Sequence, residues 1–391
     1  VTKLLSDTLH EWAGEARVPH DLADRALRGR AGSRRRAAPI GLALLATGLA
    51  TVVAVSGLTG PAVRPAGVTL PPRPSPVATD VRADPEHAPP TRLVTAGRLA
   101  VSAFHTVREE AAAGLFQHFR RSWSVYDPRT GGYRPIAGAW VDVAPGLRVA
   151  AVVDGDHLGR RVGVLDLETR RYLTWIELEH PVAAVTWSPD GTRLLATAYR
   201  ESPDRYVRGE TIAEPVPPSP RTGFYVIDVR AGTADYRALP PRAGQRIALD
   251  QRADLAWSLD GGSIYEPTSS SNPDRVFYTL AGEPRDAPAG QRYAEHTPYS
   301  ALSPDGRRAI GTLRLPTVIT DSRTGAEIAQ LPVLEVLAWA DDDHVVAVDC
   351  PGDCADRQDK GLALVRADGT GKPTRLTAST KSAWQWVLTP R

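Results

Sequence analysis

The chain has 391 residues, of which 42% are hydrophobic, enough to bury a large core and more than one folded unit. Its net charge of +2 excludes the global basic excess of a nucleic-acid binder. Thirty-three Gly and 34 Pro point to a turn-rich β protein with a Pro-rich segment.

In chain order, residues 1–36 read as a small helical module. Leu5, Leu9 and Trp12, with Leu4 and Thr8 beside them, recur at helical spacing, and Pro19-His20-Asp21 offers a second helix start. The module is either an amphipathic leader or a docking pair in which Leu5, Leu9 and Trp12 meet a cytoplasmic partner. Arg28, Arg30, Arg34, Arg35 and Arg36 follow, and Ile40–Leu58 then runs about nineteen residues without a charge. At about 1.5 Å per residue such a run approaches the roughly 30 Å of a bilayer core. A single transmembrane helix is therefore expected over 37–59, with the N-terminus cytoplasmic and the rest extracytoplasmic. A cleaved secretory signal fits less well, because the span and its leader are both too long. Ser33-Arg-Arg-Arg36 suggests twin-arginine export, but Ala37 stands where a bulky apolar residue is usual. Residues 60–90, with Pro71, Pro72, Pro74 and Pro76 among nine prolines, are expected to form an extended, disordered linker.

The stretch Val185–Thr197 reads as strand, tight turn and strand. Trp187 ends the first strand, Ser188, Pro189 and Asp190 make the turn, and Gly191 takes the left-handed position. Copies follow at Trp257, Ser258, Asp260 and Gly261, at Ser303, Pro304, Asp305 and Gly306, and around Trp339. A weaker copy is Trp140–Gly146, and a truncated one, Ser382–Leu388, lies at the C-terminal end. Steps between copies run from about 37 to about 70 residues, mostly in the mid-forties, the period of propeller blades. Each turn is followed by an apolar strand, then by a strand ending in an acidic turn such as Asp166, Asp228 or Asp321, then by a short edge strand. Six copies supply six innermost strands. The last lacks companions, which Leu99–Phe104, Ser122–Asp127 and Tyr133–Ile136 supply, so the two chain ends are expected to complete one blade.

These turns resemble the Trp-Ser-Pro-Asp-Gly repeats of TolB-type and WD-like β-propellers over roughly Thr91–Arg391, most closely at Trp187–Gly191 and Ser303–Gly306. The resemblance implies an all-β, six-bladed β-propeller over 91–391 and says little about activity. The layout of Leu4, Trp12, Leu22 and Ala26, an Arg cluster and a hydrophobic span is similar to that of membrane-anchored anti-sigma factors. It departs from their zinc-binding type, since no Cys-x-x-Cys follows His10.

Two insertions exceed what a blade needs, Arg108–Gln117 and Glu201–Thr222. Arg205, Tyr206 and Arg208 in the second are candidate partner-binding residues. Cys350 and Cys354 flank a Pro-Gly turn and are expected to form a local disulfide. The nine histidines form no metal motif, and no nucleophile elbow or P-loop occurs, so no catalytic, metal or cofactor residues are expected. The Ser-Pro-Asp-Gly turns repeat, which identifies them as blade corners. Asn272 is the only Asn, which disfavours the carboxylate-and-amide metal channel of propeller lactonases. The primary reading is a membrane-anchored propeller that binds a protein or peptide, without nucleic acid, and signals to a sigma factor. An exported lactonase- or lyase-like enzyme and a structural envelope component are the alternatives.

Overall fold

The computed structural model describes residues 68–72, 79–112, 116–208, 213–215, 219–240, 252–267, 275–288, 290–294, 299, 301–312, 317–349, 359–381 and 384–391. The chain divides into two units, Val1–Ala62 and Val63–Arg391, and all described residues belong to the second. The expected anchor over 37–59, Leu5, Leu9 and Trp12, and the Cys350–Cys354 pair lie outside the described residues. Among those residues no helix is long and apolar enough to cross a membrane.

The described chain is all β. It opens with β1 (Thr95–Ala96), β2 (Leu99–Ala111), β3 (Phe116–Asp127) and β4 (Gly132–Ile136). Next come β5 (Trp140–Val143), β6 (Val149–Val153), β7 (Gly159–Asp166), β8 (Tyr172–Trp187) and β9 (Arg193–Tyr199). An inserted hairpin, β10 (Arg205–Arg208) and β11 (Ala213–Pro215), precedes β12 (Arg221–Asp228) and β13 (Thr233–Ala238). Then follow β14 (Ala256–Trp257), β15 (Ile264–Pro267), β16 (Arg275–Tyr278) and β17 (Pro284–Arg285). The remainder is β18 (Arg308–Thr312), β19 (Thr317–Asp321), β20 (Glu327–Leu331), β21 (Glu335–Trp339), β22 (His344–Asp349), β23 (Gly361–Arg366), β24 (Thr374–Arg375) and β25 (Trp384–Pro390).

Consecutive strands make four four-stranded meanders, not the six expected: β5–β8, β8–β9–β12–β13, β14–β17 and β21–β24. The first two fuse into one seven-stranded sheet, because the first half of β8 pairs with β7 and its second half with β9. Two further sheets depart from the pattern. The composite sheet takes β25 from the far end of the chain, paired antiparallel to β2 from Leu99↔Pro390 to Thr106↔Trp384, together with β3 and β4. The last sheet has three strands, β18–β20, with Leu302 bridging Ala309.

Apolar clusters join all but one pair of successive sheets around a ring. One cluster links the composite sheet to the first meander through Trp123, Val125, Val141 and Leu165. Others join the first meander to the second and the second to the third. The three-stranded sheet meets the fourth meander through Ile310, Leu331, Val336 and Trp339. The fourth meander returns to the composite sheet through Val346, Leu362, Leu99 and Leu388. Among the described residues no apolar cluster joins the third meander to the three-stranded sheet; the small cluster of Ala294, Ala301, Ala309 and Leu302 belongs to the latter and the segment before it. The short apolar runs fit this packing, since most inner and second strands are covered on both faces.

The ring has two unlike faces. Every turn that follows an innermost strand lies on one face, where Arg193 donates to Gly261 O (2.9 Å), Gly146 N donates to Pro390 O (2.8 Å) and Arg98 N donates to Ala340 O (2.9 Å). The N-terminal approach begins on this turn face, and its packing departs from the disordered linker expected over 60–90. Val68 N donates to Arg230 O (3.0 Å), and Leu70 packs on the cluster between the first two meanders. Residues 79–90 are likewise fastened down: buried Asp84 accepts from Thr91 N and Thr91 Oγ1 and pairs with His87, while Asp80 pairs with Arg391 (2.9 Å). Those polar anchors, spaced among prolines, are why composition alone assigned the segment to a free linker.

A rim platform as the candidate functional site

The opposite face carries the two insertions, and they are strands rather than loops. Above Thr106, β2 leaves the apolar seams and continues as Val107–Ala111, with Arg108, Glu109 and Ala111 exposed. β3 returns antiparallel from Ala111↔Gln117 to Val107↔Arg121. Five residues at about 3.3 Å each lift this hairpin roughly 16 Å above the innermost strand. β10 then pairs with β3 through Arg205↔His118, Tyr206↔Gln117 and Val207↔Phe116, and β11 pairs with β10. Two insertions nearly ninety residues apart in sequence thus build one platform, β2–β3–β10–β11, on the rim of the ring.

Its root is a buried ionic cluster. Asp204, 3% exposed, accepts from Arg121 on β3 (2.6 Å) and from Arg252, just before β14 (2.8 Å). Arg252 also pairs with Asp254 (2.8 Å) and donates to Ala183 O (2.7 Å), and the Tyr199 hydroxyl donates to Asp254 (2.7 Å). Both guanidiniums lie over the Trp140 ring, at 5.2 and 4.3 Å from its centroid. Burial alone would raise the Asp204 pKa, but Arg252 and Arg121 outweigh it and hold the carboxyl below its usual range. Burial and the neighbouring Arg252 lower Arg121, whereas Arg252, with two carboxylates against the same burial, is raised. One carboxylate therefore ties three parts of the ring to the inserted strand. Removing one member of such a cluster leaves an uncompensated buried charge, at about 3–5 kcal/mol.

The sequence-selected partner residues divide. Arg205 lies over the Phe116 ring at 3.5 Å and pairs with Glu201 (2.8 Å). Tyr206 is 2% exposed and stacked on Phe119 at 4.3 Å, so it holds the platform together rather than meeting a partner. Arg208 lies on β10. Arg121, Asp204, Arg252 and the long Phe116–Arg121 strand were not selected, because charged residues in a polar stretch default to solvent.

The blade turns consume their own polar groups. In all three full copies the Ser hydroxyl donates to the Asp carboxylate, Ser188 to Asp190, Ser258 to Asp260 and Ser303 to Asp305. Each Ser Oγ accepts an amide at about 3 Å from Arg193, Ser263 or Arg308. Gly191, Gly261 and Gly306 all take the left-handed position, with φ of 68°, 67° and 70°. Where a Trp precedes the turn it packs: Trp187, Trp257 and Trp339 are buried, and Trp257 and Trp339 donate to Thr186 O on β8 and to Ala301 O beside Leu302. Among the described residues no group of three or more His, Cys, Asp or Glu is placed to hold a metal ion.

The ladders and the ring of clusters define an all-β propeller. No family model matches the chain, and no curated protein does. Among solved structures the chain is similar to TolB from Acinetobacter baumannii, with 16% identity and a TM-score of 0.35 over 72% of this chain, and it spans 66% of the length of that one. It is also similar to the β-propeller domain of Myceliophteria thermophila Cps50 (Swd1), with 13% identity and a TM-score of 0.39 over 73% of this chain and 87% of the other. A chain of the mitotic checkpoint complex matches with 14% identity and a TM-score of 0.38 over 88% and 94%. The fold assignment rests on the strand ladders, not on these distant likenesses.

Proposed function

We propose that the protein is a membrane-anchored, extracytoplasmic binding module whose rim platform takes a protein or peptide partner. The observation that supports this reading is that two insertions far apart in sequence build one platform on the rim, fixed at its root by the buried Asp204 cluster. Propellers commonly act as rigid stages for such insertions, and recognition concentrates on loops and hairpins held by a scaffold. In this reading the composite and three-stranded sheets fill the two positions that the four meanders leave, giving the six units counted in the sequence.

Site-specific photocrosslinking in cells tests the surface. A crosslinker replacing Arg108 on the platform should capture a defined partner, while one replacing Arg307 on the turn face should not; their side chains are 73% and 83% exposed. Equal capture from both faces, or capture from Arg307 alone, removes the platform as the binding surface. The inward half of the proposal assigns residues 1–36 to a cytoplasmic partner, most specifically a sigma factor. Changing Leu9 and Trp12 to Asp should release that partner and leave crosslinking at Arg108 intact.

A further inference from the structure

Three of the nine histidines lie in or below the platform. His105, 3% exposed on β2, packs edge-on to Trp123 (4.3 Å) and toward Trp140 (6.3 Å). His118 on β3 packs edge-on to His157, from the connection between β6 and β7, with centroids 4.7 Å apart. The Nδ1 atoms of all three are buried and have no hydrogen-bond partner.

The charges around them are unfavourable to a further cation. His105 faces Arg121 from β3 and Arg252 from before β14, with Asp204 as the only nearby anion acting on it. His118 faces Arg205, its direct ladder partner on β10, and His157; Glu110, its ladder partner on β2, and Asp204 oppose them. Glu110 and Asp156 are themselves engaged by Arg120, at 3.6 and 2.7 Å.

We propose that His118, packed on His157, forms an acid-released clasp: while neutral it holds the platform onto the ring, and its protonation frees β10 from β3. Its consequence for partner binding rests on the reading of the platform given above, but the clasp itself is a property of the free protein. Burial, reinforced by Arg121 and Arg252, pushes His105 down to about 3, and burial with His157 and Arg205 lowers His118. A histidine whose folded pKa is depressed binds a proton more readily once released, near about 6.5. Acid therefore favours the open form as pH falls below about 6.5, and neutral pH favours the closed one.

Hydrogen exchange on the full chain at pH 7.5 and 5.5 tests this, with intrinsic rates corrected for pH. Protection of the β3–β10 ladder should fall by up to about tenfold, while Arg193–Tyr199 of β9 keeps its protection. The double variant His118→Gln/His157→Gln should lose most of that pH response. An unchanged ladder, a parallel fall in β9, or a variant with the full response overturns the clasp. Should the variant misfold, NMR titration of the native imidazoles decides: His118 must titrate below the ordinary histidine range, and an ordinary value overturns it. Photocrosslinking at Arg108 at pH 7.5 is independent of these readouts, so the clasp and the binding surface can fail separately.

Discussion

Two seams of the ring solve one packing problem differently. Between the three-stranded sheet and the fourth meander, Arg308 follows its turn, lies over the Trp339 ring at 5.4 Å, donates to Asp342 O and pairs with Asp343 (3.2 Å). Between the second and third meanders, Arg193 repeats the device over Trp257 at 4.9 Å and donates to Gly261 O. At the seam between the third meander and the three-stranded sheet, both halves are missing. Ser263 stands five residues after Ser258, where the other turns place Arg193 and Arg308, and Leu302 stands where the others place Trp. Among the described residues no apolar cluster spans it. Arginine–tryptophan staples thus hold two of the seams, and the one between the third meander and the three-stranded sheet lacks both halves of the device.

A ring with one weak seam depends on its closure elsewhere. Removing Trp384–Arg391 deletes β25 and its ladder to β2, with the Ser102–Thr389 hydrogen bond (2.7 Å) and the Arg391–Asp80 pair. The expected outcome is loss of the cooperative thermal transition, measured by circular dichroism; a truncated chain that melts like the intact one would show that closure lies elsewhere. Trp339→Ala comes next. It removes a buried indole and its staple together and should cost about 3–5 kcal/mol in denaturant unfolding. Leu302→Ala at the unstapled seam should cost clearly less, about 1–2 kcal/mol, because Leu302 is only partly buried. Equal losses at the two positions would erase the distinction between the seams.

Much of this ring was readable in the sequence, and the residues show where reading stops. The turns announce themselves because Ser, Asp and Gly at fixed offsets do one local job, so Arg193–Tyr199, Thr317–Asp321 and Gly361–Arg366 occur as strands at the expected bounds. The pairing of Trp384–Leu388 with Leu99–Phe104 followed from counting strands. Two things were not readable. Glu109-Glu-Ala-Ala-Ala113 is polar and looks like a loop, yet its first residues extend a strand, because β10 supplies the pairing for β3 from far along the chain. The cluster of Arg121, Asp204, Arg252 and Asp254 was equally hidden, since each is an ordinary surface residue until its partners are known. The unstapled seam lay in plain view at Ser263 and Leu302, but only the contacts of Arg193 and Arg308 reveal what those positions usually do.

The seam between the first and second meanders uses a third device and a smaller effect. Val149 stands where the other turns place Arg193 and Arg308; instead Asp142 on β5 accepts Trp187 N from the neighbouring innermost strand (2.8 Å). Burial raises its pKa to about 6, against the pull of the Trp187 amide, the Thr186 hydroxyl and the Val143 amide. A carboxyl whose folded pKa is raised contributes stability that is complete below the unfolded value, about 3.9, and is lost as pH rises through the folded one. Asp142→Asn keeps an acceptor for Trp187 without the charge. At pH 7.5 it should stabilise the protein by about 2 kcal/mol, and the gain should vanish below about pH 4. A gain that is equal at both pH values would mean that charge at Asp142 is not what the seam carries.

The finest test supplies the missing staple. Ser263→Arg alone brings a guanidinium to a fully buried site without a ring to lie on, and Leu302→Trp alone brings a ring without its cation. Each single change is therefore expected to be destabilising, since added volume strains a packed site. Made together they recreate the Arg308–Trp339 arrangement, and the double-mutant cycle should show a favourable coupling of about 0.5–1 kcal/mol. Strict additivity of the two changes would mean that the arginine and tryptophan at the other seams are neighbours without energetic partnership. The weakness at this seam would then come from its thin apolar packing alone, and filling it, not stapling it, would be the way to strengthen the ring.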